Sequence, residues 1–323
     1  MTTSLALVAD LGGTNTRVAL ADGKVVRADS IRKFSNAEFS SLEPVLVRYL
    51  AEAGLSRVDG VCVAAAGPVR DGVAVMTNLS WTIDAPQLVR ATGANQTAIL
   101  NDLQAQGHAL GHIAPEYLRC LIDGPQQPGG AMLVVGVGTG MNAAPVHNTP
   151  WGRVVAASEC GHINMPIRTE QDFRLARFVE TWGAHAHGFA GVEDILAGRG
   201  LEHVYAFIAH EAGQPPEKKA ADIMAALAAG DPIARDTARL YVHILGAELG
   251  NLALIHLPFG GLYLIGGVAR AMTPYMQEFG LTEAFRDKGR FGEFMHSFSL
   301  HVVEDDFAAL TGCAAYLANG GRG

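Results

Sequence analysis

Charged side chains are scarce in this chain, and the scarcity is uneven. Asp, Glu, Lys and Arg make up 17% of the 323 residues, with 24 basic against 32 acidic residues and a formal net charge of -8. Proteins that neutralise a nucleic-acid backbone gather cations on one face, so this balance argues against a nucleic-acid partner. A free nucleotide is not excluded, because a metal ion and backbone amides at helix starts can meet its phosphates. Cysteine is equally thin. Cys62, Cys120, Cys160 and Cys313 are scattered, without the paired short spacing of a zinc knuckle or redox motif, so reduced thiols are expected. No apolar run approaches the roughly 18 residues of a membrane span. Residues 1–9 are uncharged and apolar but run into Asp10 with no basic leader or small-residue cleavage site. These absences lead to the expectation of a cytoplasmic protein without membrane contact.

Hydrophobic residues, by contrast, reach 49%, enough for a large buried core. The length suits two domains, taking roughly 150 residues for each. Glycine is the excess: 38 residues, about 12% of the chain against a usual share near 7%. Such an excess implies many tight turns, or places where backbone approaches a ligand.

Periodicity supplies the elements. Residues 5–11 form an apolar run that stops at Gly12-Gly13, and residues 17–21 resume with alternation, which predicts a hairpin. Residues 25–34 read as a third strand, and 39–53 as a helix ending at Gly54. A buried strand is expected at 58–66, a short helix capped by Asp84 with Pro86 in its first turn, and a strand at 97–100. The pattern begins again with strands at 131–135 and 142–146. Helices are expected at 171–182, 192–196, 201–212 and 223–229. A long, mostly apolar helix at 232–256 has Asp231 as N-cap and Pro232 in its first turn. Strands at 260–265 and 300–303, with a last helix at 307–318, complete an α/β chain with mixed sheets.

Three glycine clusters stand at turns. Asp10-Leu11-Gly12-Gly13-Thr14-Asn15-Thr16-Arg17 joins strand to strand and has no Lys-Ser/Thr pair, which excludes a P-loop. Its tip exposes consecutive amides followed by the hydroxyls of Thr14 and Thr16, as a phosphate contact requires, while Asp10 suits a hydrated magnesium ion. An ordinary glycine hairpin reads the same way. Gly136-Val137-Gly138-Thr139-Gly140-Met141-Asn142 departs from the dinucleotide fingerprint, since Met141 stands where glycine is required. It again sets a hydroxyl between glycines at a strand-to-strand turn. Gly266-Gly267 joins a strand to a helix at 268–272, where either tight packing or approach to a flat ligand such as adenine would call for glycine.

Polar residues outside these clusters have ordinary readings too. Asn101 or Asp102 could cap the helical stretch at 103–110. Glu159 could be a solvated loop carboxylate and His162 a hydrogen-bonded interior histidine. Glu193 suits the first turn of a helix, and Asn78 a turn.

Taken in order, DLGGTNTR, LND, GVGTG, ECGHINMP and LIGGVA resemble the bacterial glucokinases, members of the sugar kinase, actin and chaperone ATPase superfamily. The resemblance spans nearly the whole chain. It implies two ribonuclease-H-like lobes with a cleft between them. Residues 1–112 with 304–323 would form a small α/β domain, and 113–303 a large α/β domain with helical insertions. The implied reaction is transfer of the γ-phosphoryl group of ATP to the 6-hydroxyl of glucose, or of another hexose such as fructose, mannose or an amino sugar. A non-catalytic sugar or nucleotide sensor of the same fold is the other expectation. In the enzyme reading Asp102 is the catalytic base. Asn78, Asn101, Asp102, Glu159, His162 and Glu193 contact the sugar. Asp10, Gly12, Gly13, Thr14, Asn15, Gly138, Thr139, Gly140, Gly266 and Gly267 hold ATP, with Asp10 positioning Mg through water. Relatives imply a homodimer. Cys160 stands where the family usually has glycine. A related branch has a zinc-binding cysteine cluster after its Gly-His pair, but residues 163–173 contain no cysteine, so no structural zinc is expected. Nor is a helix-turn-helix expected before the first glycine turn.

Overall fold

In a computed structural model, which describes residues 4–76, 79–183 and 186–321, the first apolar run becomes the strand Leu5–Leu11 at the middle of a sheet. It pairs antiparallel with Asn15–Asp22 and parallel with Gly60–Ala65, which in turn pairs parallel with Gln96–Asn101. Both faces of this strand are covered, which explains why its sequence is apolar nearly throughout rather than alternating. Leu7, Ala9 and Leu11 pack toward Val45, Leu46 and Tyr49 of the helix Leu42–Glu52. Ala6 and Val8 face the other way, in a cluster with Leu310, Cys313 and Ala314 of the helix Ala308–Ala318. Each fully buried leucine contributes about 1.5–3 kcal/mol.

The chain divides into two units, Met1–Tyr117 with Val146–Ala156 and Asp305–Gly323, and Leu118–Pro145 with Ala157–Glu304. The segment Val146–Ala156 belongs with the first unit, although the expected division left it in the large domain. The reason is packing. A Cβ on Gly107 would sit 2.6 Å from Val155 and 3.1 Å from Val146, so the helix Asp102–Ala109 lies flush on this hairpin segment. Arg153 also donates from Nη1 to the carbonyls of Leu110 and, at 3.1 Å, His108, closing the end of that helix.

A six-stranded sheet has the order Leu118–Ile122, Leu300–Val303, Leu262–Ile265, Met132–Val137, Met141–Thr149, Gly152–Val155; all but the last strand and the end of the one before it belong to the second unit. The long helix spans Pro232–His256, and Asp231 caps it by accepting the Ala234 amide at 2.9 Å. Its Gly246 and Gly250 permit close crossing of the helix Leu281–Arg286, since a Cβ at either would meet backbone of that region within 2.8 Å.

Several expectations shift. The strand expected at 25–34 is two pieces, Val25–Val26 and Arg32–Ser35, separated by the short turn Ala28–Ser30. A three-stranded sheet of Val69–Arg70, Val73–Val75 and Thr82–Ile83 has strands too short to leave a periodic signal.

Candidate active site

Asp102 is the first residue of the helix Asp102–Ala109, and Asn101 is its cap. Asn101 Oδ1 accepts the Leu103 amide at 3.0 Å, while Gln104 Oε1 accepts the Asn101 amide at 3.2 Å. That capping box makes Asn101 the cap, and Asp102 shares only the Leu103 amide with it. Asn101 Nδ2 donates to Gly67 O at 3.0 Å, which leaves its second amide hydrogen for a ligand. Asp102 Oδ1 accepts the Leu103 amide at 2.8 Å. Solvent reaches the Asp102 side chain, yet the protein around it removes enough water to push its pKa up to about 6. The Leu103 hydrogen bond opposes that rise and the nearby charge of Asp10 adds to it. The result is a carboxylate more basic than usual and still ionised at neutral pH.

Asp10 lies in the same unit, at the end of the first strand, in register with Arg17 across the hairpin. Its carboxylate is raised above the usual range by burial, against the pull of Arg17, whose Nη1 is 3.4 Å away. One long ion pair leaves this half-buried charge incompletely neutralised, so a cation suits it. Beyond Asp10, the hairpin tip is organised by Asn36, which the sequence reading did not single out. Asn36 Nδ2 donates to Gly12 O at 2.8 Å, and its own amide donates to Thr14 O at 2.9 Å. Thr16 is fully buried and its hydroxyl donates to Asn36 Oδ1 at 2.7 Å, so Thr16 serves the turn rather than a phosphate. Thr14 is exposed, and Gly12, Gly13 and Asn15 are partly so.

The second glycine turn follows the strand Met132–Val137. Gly138 N donates to Gly140 O at 2.9 Å, and Gly138 O accepts the amide of Gly198, the first residue of the helix Gly198–Glu211. Thr139 and Gly140 are exposed. Beside this turn is Gly266, whose φ of 102° and a Cβ that would lie 2.3 Å from Val137 O admit only glycine. Gly267 differs: a Cβ there would meet nothing within 4 Å, so its surroundings are open. Packing therefore accounts for the first glycine of the pair, and space for a ligand remains at the second.

Glu193 begins the short helix Glu193–Leu196, as its type suggested, but it also reaches the second turn. Its Oε2 accepts the Met141 amide at 3.0 Å, and a Cβ on Gly140 would lie 2.7 Å from that oxygen. Gly161 is equally confined, with a Cβ that would fall 2.0 Å from Met141 O and 3.4 Å from Glu193 Cβ. Glu193 thus borders both the turn and the segment carrying Glu159 and His162.

Glu159 precedes the one-turn helix Cys160–His162 as its N-cap residue and His162 ends it, and both are exposed. Exposure removes the interior-histidine reading of His162. The segment hangs on Asn142, whose Oδ1 accepts from Cys160 N at 3.1 Å and Ser158 Oγ at 3.1 Å. Asn142 Nδ2 donates to Ser158 O at 2.5 Å and Glu159 Oε2 at 3.2 Å. Cys160 also points its thiol at Asn142 Oδ1, 3.4 Å away, and burial raises its pKa, which keeps it protonated. Asn78 lies outside the described residues.

The first unit thus brings together Asp10, Asn101 and Asp102 with one glycine turn. The second brings together Glu159, His162 and Glu193 with the other two glycine clusters. Asn36, and the supporting roles of Asn142 and Glu193, escaped the sequence reading. Each is a polar residue whose partner is fixed only by tertiary structure. No helix among the described residues is long and apolar enough to cross a membrane.

The family model described as Glucokinase matches residues 7–320. A glucokinase of Mesorhizobium japonicum is 30% identical over 315 residues, covering 97% of this chain and 91% of that protein. One of Yersinia pestis is 31% identical over 321 residues, 98% of this chain and 97% of that protein. A solved glucokinase from an Antarctic psychrotroph is similar at a TM-score of 0.88 and 28% identity, over 98% of this chain and 99% of that one.

Proposed function

The chain belongs to the glucokinase family and is a sugar kinase with the actin-like ATPase fold, and from that premise we propose that it transfers the γ-phosphoryl group of ATP to the 6-hydroxyl of glucose. Asp102 is the base in this reading. The observation that carries the role is the placement of Asp102, whose exposed carboxylate stands at the start of its helix, next to the partly free Asn101 amide and near Asp10; loss of surrounding water and the Asp10 charge push its pKa up to about 6. Phosphoryl transfer through a loose transition state asks the base mainly to orient the attacking hydroxyl and to accept its proton late. A carboxylate that is ionised at neutral pH, yet more basic than usual, meets both demands.

The remaining roles follow from donor and acceptor chemistry. A hexose presents neighbouring hydroxyls. The exposed Glu159 offers acceptors, His162 either role, and Asn101 one spare amide hydrogen. Glu193 would complete the sugar contacts from beside the second turn, and Asn78 is assigned to the same set on the sequence resemblance alone. Phosphate oxygens would take the amides of Gly13, Thr14 and Asn15, and those of Thr139 and Gly140, with the Thr14 and Thr139 hydroxyls beside them, while Gly12 and Gly138 donate to Asn15 O and Gly140 O and shape the two turns. The open space at Gly267 suits the flat base of the nucleotide.

Among the described residues no group of three His, Cys, Asp or Glu could hold a metal ion by itself. Magnesium that arrives with the nucleotide's phosphates fits better, with the incompletely neutralised Asp10 holding it through water. When bound, the ion would neutralise phosphate charge. Before the ion arrives, Asp10 also raises Asp102 by repulsion.

The test is Asp102→Asn, followed by coupled ADP release with and without glucose. Turnover should fall about 100- to 10,000-fold with the fold and sugar binding retained. Near-wild-type turnover would refute the assignment, and sugar-independent ATP hydrolysis by the wild type would favour a nucleotide switch instead. Fructose, mannose and amino sugars in the same assay rank the acceptors.

A further inference from the structure

Two of the three carboxylates proposed for the sugar are tied to the two residues that follow the second glycine turn. Glu193 Oε2 takes the backbone amide of Met141 at 3.0 Å, and Glu159 Oε2 takes the side-chain amide of Asn142 at 3.2 Å. The Asn142 orientation is fixed by its surroundings. The Cys160 and Ala143 amides can only donate, at 3.1 and 2.8 Å, so the atom facing them is the oxygen and the atom facing Ser158 O and Glu159 is the nitrogen. Asn142 is therefore committed at both ends of its amide, while Glu159 is otherwise exposed and carries long side-chain freedom.

We infer that Asn142 is a positioning residue that holds the Glu159 carboxylate for the sugar and transmits the conformation of the phosphate turn to it. The inference rests on the proposed kinase reading, because it presumes that Glu159 meets a sugar. The chemistry is a one-donor clamp on a carboxylate oxygen. It restricts the rotamers of Glu159 and leaves Oε1 and the second lone pair of Oε2 to accept sugar hydroxyls. Because Asn142 is two residues beyond Gly140, a nucleotide that orders residues 138–140 also orders the clamp. Linkage makes this reciprocal, so bound nucleotide should tighten glucose through this residue.

A double-mutant cycle tests it, with glucose affinity measured by calorimetry in the full chain and thermal unfolding as a check on the fold. Asn142→Asp keeps the acceptors for Cys160 and Ala143 but sets a negative charge against Glu159. In the wild-type background it should weaken glucose binding roughly tenfold, and in a Glu159→Gln background by roughly twofold or less. Asn142→Ala serves as the second arm and should show the same loss of effect in the Glu159→Gln background. Equal penalties in both backgrounds would mean that Asn142 supports the loop without acting on Glu159, which overturns the inference alone. A wild-type protein that binds no hexose overturns the kinase reading beneath it. Finally, a non-hydrolysable ATP analogue should tighten glucose binding in the wild type and do so less in Asn142→Ala; undiminished tightening contradicts the transmission.

Discussion

The turn of residues 12–14 is braced by a neutral side chain, and the turn of residues 138–140 by a carboxylate. Asn36 holds the first from a separate segment and is itself buried with Thr16 as its partner. Glu193 holds the second, with its side chain one-quarter exposed and a helix start, Gly198, joined to Gly138. A neutral buried brace is a folding device. Its loss leaves groups unpaired in the core and is felt as instability. A charged, accessible brace adjoining ligand-bearing residues is closer to chemistry, and its loss should be felt in turnover before stability. Two turns that use the same residue types can therefore fail in different ways.

Of the two braces, Glu193→Ala should bring the larger effect on turnover. It removes the charge-assisted hydrogen bond to the Met141 amide and so misplaces the turn, and kcat/KM for ATP should fall roughly 10- to 100-fold while the unfolding transition shifts less than in Asn36→Ala. Steady-state kinetics beside thermal unfolding checks this, and the comparison breaks if stability falls with unchanged kinetics. Asn36→Ala should behave in the opposite sense. It leaves Gly12 O and the Thr16 hydroxyl short of a partner, at about 1–3 kcal/mol for each group, and the folded fraction should keep kcat within about tenfold. Chemical denaturation with activity measured per folded molecule decides it.

The smallest effect at neutral pH sharpens the contrast by charge. The folded pKa of Asp102 is raised to about 6, so its basic form is present above that value and is lost as pH falls through it. kcat/KM for glucose, which reports the free enzyme, should drop by about half near pH 6 and by roughly tenfold near pH 5. An acid limb at the ordinary carboxylate range would show that the influence of burial and Asp10 is absent in solution.

How much of this was legible beforehand depended on the range of the interactions. The long helix could be read because Asp231, Pro232 and the apolar stretch beyond them are local signals. The hairpin around Gly12-Gly13 and the strand before Gly136 were legible for the same reason. Gly266 and Gly267 looked like a matched pair, although one is excluded from bearing a Cβ by Val137 O and the other is not. Neither sequence neighbours nor periodicity carry that information. Asn36 sits among short polar residues that resemble a surface loop, and its burial depends on a hairpin 20 residues away. Asn101 and Asp102 could not be told apart as caps until the capping box with Gln104 was in place. The hairpin segment Val146–Ala156 was assigned by its chain neighbours, whereas Gly107 and Arg153 tie it to the first unit.

The first unit is assembled from three stretches of chain, the last of which carries the helix Ala308–Ala318. Gly312 lets that helix seat against the helix of Asp102, since a Cβ there would fall 1.7 Å from Ala105 O. On a ribosome this partner emerges after the whole second unit has been made, so the helix bearing the proposed base waits for nearly the entire chain before it is clamped. Released protein truncated before residue 308 should therefore be able to bury the core of its second unit while remaining catalytically silent.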